Sequence, residues 1–237
     1  MRRLKSFLNT RKDAKVLDVG SGNGNFISLL AGLYEGTGKM IGIDNLQIAV
    51  DTANKNFEGN DRIEFLKMDA LNMDFEDGEF GIVTLSNSLH HLDDPQGIFN
   101  EMERVLEKYG LLIINEMISD GLSKRQKSHL LIHHFAAEID REIGNTHHET
   151  FKGVEIVEKV KSYSSLKIKM VFEVNNKREI DNNAEEIEWL YKTMEKLLVK
   201  VEKSDKYSYF KKKAEKVKKH IHKYGFDSAT QLVIVLG

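Results

Sequence analysis

The sequence predicts an α/β protein built on a doubly wound, mostly parallel sheet, and three observations carry that expectation. Short aliphatic runs alternate with helical patterns through the first half of the chain, as parallel strands joined by crossover helices require. A glycine-rich turn, LDVGSGNGNF at positions 17–26, follows the first of those runs. The final run, QLVIVL at 231–236, is too apolar for an edge strand and is expected inside the same sheet.

Taken in order, strands are expected at Lys15 to Val19, Lys39 to Ile43, Ile63 to Lys67, Phe80 to Ser86 and Leu111 to Asn115. Helices are expected between them over Asn25 to Tyr34, Leu46 to Phe57 and Pro95 to Lys108, the last with the chain's single proline in its first turn. Beyond the fifth strand Ile132, Phe135, Ala136, Ile139 and Ile143 recur at helical spacing within 122–143, and a further helix suits 154–161. Strand-like runs return at 166–174 and 231–236, separated by charged helical segments over 184–203 and 206–224. With no repeat and no low-complexity linker, the chain reads as one domain over 1–237. Its core is expected to span about 12–117, 166–174 and 230–236, with helical cap insertions near 120–162 and 182–224.

Composition narrows the function classes. The chain has 237 residues, enough for a full core, and its 41% hydrophobic and 30% charged residues are ordinary for a folded soluble protein. A formal charge of -2 gives no general attraction to nucleic acid. There are no cysteines, which removes disulfides, thiolate metal sites and a cysteine nucleophile together. The start, MRRLKSFLNTRKD, lacks the apolar stretch of a secretory signal, and no apolar run approaches the roughly 20 residues of a membrane span. A cytoplasmic protein without membrane association is expected.

Which nucleotide the glycine loop serves turns on Asp18. Gly20, Gly22 and Gly24 form G-x-G-x-G, which differs from the dinucleotide pattern G-x-G-x-x-G. A carboxylate at the strand end would repel the paired phosphates of a dinucleotide, whereas an ammonium or sulfonium there gains a charge-assisted hydrogen bond of about 1.5 to 3 kcal/mol. S-adenosylmethionine carries both cations and no phosphate. Asp44, 20 residues beyond Gly24, is placed to accept both hydroxyls of a ribose, a feature equally compatible with NAD, and as a bare residue it also suits a helix cap before Leu46.

The ordered set LDVGSGNG, IGID, FLKMDALNM, FGIVTLSNSLHHLDDP and RVLEKYGLLIINE, over about Lys15 to Glu116, resembles the motifs of class I S-adenosylmethionine-dependent methyltransferases, especially the type 11 group that includes small-molecule enzymes. The resemblance implies a Rossmann-like, seven-stranded sheet with an antiparallel C-terminal strand. It also implies S-adenosyl-L-methionine as cofactor. Asp18 would lie near the methionine amino group, the Gly20–Gly24 loop with Ser21 and Asn23 would pass close to the ligand, and Asp44 beside Asn45 would bind the ribose. Asp69 and Ala70 would contact the adenine, and Ser86 would border the sulfonium end. The chain departs from many relatives in having KYG at 108–110 where a Pro-Gly-Gly turn is common.

Methyl transfer needs positioning more than any single catalytic group. His91, in the loop after the fourth strand, is the candidate base or acceptor-orienting residue, with Glu116 a second possibility and loop packing the plainer role for both. Five of the nine histidines fall within 129–148; His133 and His134 are candidate acceptor-binding residues. His129 with His133, and His134 with Glu138, share helical faces, but that spacing establishes no convergent ligand set, and no metal is assigned. The lysine-rich stretch 206–223 reads as a solvated helix face, so nucleic acid is not the expected partner. The expected activity is methyl transfer to a small-molecule acceptor. RNA or protein methylation, or a non-catalytic S-adenosylmethionine-binding module, are the alternatives. The absence of cysteine excludes the C5-pyrimidine route, and Ser86-Asn87-Ser88-Leu89 lacks the N/D-P-P-aromatic motif of amino-methylating nucleic-acid enzymes.

Overall fold

The computed structural model describes residues 1–175 and 184–237. The chain runs α1 (Arg2–Leu8), β1 (Val16–Val19), α2 (Asn25–Leu33), β2 (Met40–Asp44), α3 (Gln47–Asn56), β3 (Ile63–Lys67), β4 (Phe80–Ser86), a 3-10 turn (Leu89–His91) and α4 (Pro95–Val105). It continues through β5 (Leu106–Met117), α5 (Lys124–Glu142), α6 (Gly153–Tyr163), β6 (Ile168–Val174), α7 (Ala184–Val199), α8 (Tyr207–Tyr224) and β7 (Gln231–Leu236).

All seven strands form one sheet in the order β3-β2-β1-β4-β5-β7-β6. The five strands from β3 to β5 are mutually parallel, and β7 runs antiparallel to both β5 and β6. This is the expected Rossmann-like fold, with QLVIVL inside the sheet. The order reverses between β1 and β4, so the crevice beyond their carboxyl ends is where such sheets take ligands.

Strand alternation divides the core into two layers. Leu17, Val19, Val83, Leu85, Leu112 and Ile114 turn toward α4 and α6, while Val16, Ile82, Leu111 and Ile113 turn toward α1, α2 and α3. A third cluster lies apart from the sheet: Ile132, Phe135 and Ile139 of α5 pack against Leu190 and Met194 of α7 and Phe210, Val217 and Ile221 of α8.

Three expectations change. The fifth strand begins at Leu106, so the helix expected to Lys108 stops at Val105. Leu106 already pairs with Phe80, and the KYG turn becomes an irregularity within the strand at Tyr109, whose φ is 68°. The N-terminal α1, for which no element was expected, packs Leu4 and Leu8 into the core. Finally, α6 lies outside the helical cap, because Ile156 and Val160 join the sheet layer with α4. The cap is α5, α7 and α8; residues 182 and 183 of its expected range lie outside the described residues.

Candidate functional site

Residues Gly20–Gly24 link β1 to α2, and their backbone bends rest on glycine. Gly22 has a φ of 51°, and a Cβ there would meet nothing within 4 Å. Gly24, the residue that caps α2, has a φ of 83°, and a Cβ there would meet the rings of Phe57 and Phe65 at 2.7 Å. One glycine leaves room for a ligand and the other lets the helix approach the sheet.

Asp18 is 1% exposed. Its Oδ1 accepts a hydrogen bond from the Thr84 hydroxyl at 2.6 Å, across the β1–β4 pairing that sets Asp18 beside Thr84. Its Oδ2 is buried without a hydrogen-bond partner among the described residues. Burial raises the carboxyl pKa to about 7, with Thr84 lowering it and the charge of Asp44 adding to the rise. A buried acceptor left open in this way fits a cationic ligand group, which would restore the charged form.

Asp44 closes the loop from the other side. Its Oδ2 accepts from the Gly22 amide at 2.9 Å and its Oδ1 from the Leu46 amide at 2.9 Å. A carboxylate has about four acceptor sites, so capacity for ribose hydroxyls remains. Asp69 Oδ1 accepts from the Leu71 amide at 2.9 Å. Leu46 and Leu71, in the loops after β2 and β3, are 59% and 43% exposed, large apolar surfaces flanking the two carboxylates along the sheet edge. Ser86 Oγ accepts from the Asn115 side-chain Nδ2 at 2.9 Å, and Asn87 beside it adopts a φ of 49°, its Oδ1 accepting from the Met117 amide at 3.1 Å.

The 3-10 turn after β4 meets α5 and the loop beyond it. Glu116, fully buried at the end of β5, accepts from the Leu89 amide at 3.0 Å and bonds His90 Nδ1 at 2.8 Å. His147 Nδ1 lies 2.9 Å from Asp140 Oδ2, and its backbone carbonyl accepts from Arg141 at 2.6 Å. The His148 amide donates to the His90 carbonyl at 2.9 Å, and Thr146 hydrogen-bonds Asp93, so this loop lies directly on the turn. Partial burial, reinforced by the neighbouring imidazoles, lowers the His91 pKa to about 3 and that of His133 to about 2.

A family model described as a methyltransferase domain matches residues 10–213. The chain belongs to that family, in its class I form. The family's cofactor, S-adenosyl-L-methionine, is the cation carrier that the open Asp18 acceptor fits. The methyltransferase is 28% identical over 115 residues to a demethylmenaquinone methyltransferase of Staphylococcus saprophyticus, covering 48% of this chain and 49% of that one. The chain thus spans about half the length of the curated relatives it matches. Among solved structures, it resembles an S-adenosylmethionine-dependent methyltransferase from Aquifex aeolicus at a TM-score of 0.56 and 22% identity, over 73% of this chain and 82% of that one. It also resembles one from Geobacter sulfurreducens, solved with S-adenosyl-L-homocysteine, at 0.59 and 15%, over 100% and 89%. Those likenesses show the shared fold.

The methyltransferase brings Asp18, the Gly20–Gly24 loop, Asp44, Asn45, Asp69, Ala70 and Ser86 to one sheet edge, each on the carboxyl end of its strand or the loop that follows. The i, i+4 pairs His129/His133 and His134/Glu138 lie on the single helix α5 as expected, but their members bond to other parts of the chain. His129 Nδ1 accepts from the Ala229 amide at 3.0 Å, a contact that fixes the lead-in to β7, and Glu138 is taken up by Lys213 and Tyr209. His134 instead bonds Thr150 Oγ1 at 3.0 Å. Glu116 proves to be a pairing partner, bonded to His90 and to the Leu89 amide. Sequence reasoning missed Leu46, Leu71, Asn87 and Asn115; a leucine two positions after each of Asp44 and Asp69 was the available signal for the first two. In the lysine-rich stretch 206–223, Lys206 and Lys213 pair with Glu142 and Glu138 of α5. No described helix is long and apolar enough to cross a membrane.

Proposed function

We propose that this chain catalyses transfer of a methyl group from S-adenosyl-L-methionine to a small-molecule acceptor by in-line displacement. The observation that carries the reading is the buried Asp18 carboxyl, held by Thr84 on one oxygen and open on the other, at the mouth of a glycine loop. Bound in that crevice, S-adenosylmethionine supplies a methyl group already activated by its sulfonium. Asp18 would hold the methionine ammonium and Asp44 the ribose hydroxyls, while Asp69 and Ala70 would receive the adenine with Leu46 and Leu71 covering its faces. Ser86, fixed by Asn115, borders the reacting end. The residues thereby fix the donor's orientation, and positioning of this kind is worth up to about 7 to 11 kcal/mol in well-oriented systems. His133 and His134, on the cap helix α5, stand with His91 as the acceptor-facing candidates.

A small acceptor accords with the curated demethylmenaquinone methyltransferase relatives and with lysines on α8 that are partly neutralised by α5 and α7. We further propose that the protein works in the cytoplasm. Calorimetric titration with S-adenosylhomocysteine tests the donor site: Asp18→Asn should weaken binding about 10- to 150-fold. Unchanged affinity would remove Asp18 from the site. Incubation with methyl-labelled cofactor and a fractionated cell extract tests the acceptor, with label expected in the low-molecular-weight filtrate. Label confined to RNA or protein would overturn that part.

A further inference from the structure

Four imidazoles converge from three segments: His90 and His91 from the turn after β4, His133 from α5, and His147 from the loop after α5. One nitrogen of each lies within 4.8 Å of one nitrogen of every other. The rings of His91 and His147 are 3.9 Å apart, those of His90 and His133 4.7 Å, and those of His133 and His147 5.0 Å.

Three of the four rings are held by a hydrogen bond. Glu116 holds His90 Nδ1, Asp140 holds His147 Nδ1, and the Thr146 backbone holds the His91 ring. Meanwhile His90 Nε2, His147 Nε2 and His133 Nδ1 are buried without a hydrogen-bond partner among the described residues. Three buried ring nitrogens without partners, on rings that converge, are a poor arrangement for packing alone, because burying a polar atom without a hydrogen bond is unfavourable. Carboxylates behind ligating histidines are, by contrast, the usual device that fixes ring orientation and raises ligand basicity. Around an ion bonded at about 2.0 to 2.1 Å, tetrahedral nitrogens would sit about 3.4 Å apart, within reach of small ring rotations from the present spacing. The all-nitrogen donor set suits zinc, iron, nickel, cobalt or copper and disfavours magnesium and calcium, which require oxygen.

We propose that His90, His91, His133 and His147 form a centre for one divalent first-row transition ion. The centre stands or falls independently of methyl transfer, because metal content reads it directly. Full-length protein stripped with a chelator and then given zinc or cobalt should retain about one ion per chain through gel filtration, and cobalt should give the visible absorption of a nitrogen-ligated site. The His133→Asn/His147→Asn double variant should lose the ion and that absorption while keeping the parent's circular dichroism spectrum and gel-filtration volume, which shows that it is folded. Glu116→Gln should weaken retention about 10- to 100-fold. A His220→Ala/His222→Ala variant on α8 should retain the ion. Failure of folded parent protein to take up an ion, retention by the His133/His147 double variant, or loss in the α8 variant would each overturn the centre.

Discussion

A carboxyl group whose pKa lies near neutrality makes ligand binding depend on pH, and Asp18 is such a group in the free protein. Its pKa of about 7 stands above the unfolded value of about 3.9. Between those pH values the folded chain holds a proton that the unfolded chain has released, so this group's contribution to stability falls as pH rises through that window. A cationic ligand needs the ionised form. Cofactor affinity should therefore be level above about pH 7 and drop toward tenfold per unit below it, with a proton released on binding in acidic buffers. Calorimetry across about pH 5 to 8 in buffers of different ionisation enthalpy would check this. A flat profile, or one that persists in Asp18→Asn, would contradict it. The charge argument at Asp18 was legible in the sequence because it depends only on the residue and its place at a strand end. Its partner Thr84 was not, being 66 positions away and joined to it only by sheet register.

Among the elements, those whose signals are local were read closely. Ile63–Lys67, Phe80–Ser86 and Gln231–Leu236 match their expected bounds, each a short apolar or β-branched run with clear ends. The β5 boundary was misplaced because Leu106 and Glu107 have a helix-compatible pattern that pairing with β4 overrides. The start of α5 shows how a local signal fixes a site element. Ser123 Oγ accepts from the Gln126 amide at 3.2 Å while Gln126 Oε1 accepts from the Ser123 amide at 3.0 Å, a reciprocal cap. Gln126 Nε2 also reaches Thr230 Oγ1 at 3.0 Å, tying the helix to the entry of β7. Ser123→Ala should cost about 1 kcal/mol, a fall in Tm of about 2 to 4 °C by calorimetric scanning, with cofactor affinity retained. An unchanged Tm would show that the cap contributes nothing to the folded molecule.

For the molecule as a whole, the sheet and its donor edge were legible, while the assembly of the cap and the meeting of the histidines were not. Helical spacing placed His129, His133 and His134 on one element, but the partners that decide their roles, Ala229, His90 and Thr150, come from elsewhere in the chain. The cap helices α5, α7 and α8 bury a cluster of their own, distinct from both sheet layers. Such a unit can open without undoing the sheet, so hydrogen-exchange mass spectrometry of metal-free protein should show α7 and α8 exchanging faster than β1, β4 and β5. Uniform protection would argue for a single cooperative unit. The imidazoles lie across the seam between these two parts, with His133 on the cap side and His90 and His91 rooted at the sheet. An ion seated among them would act as a rivet between α5 and the turn after β4, and its removal would be felt first as slackness along that seam.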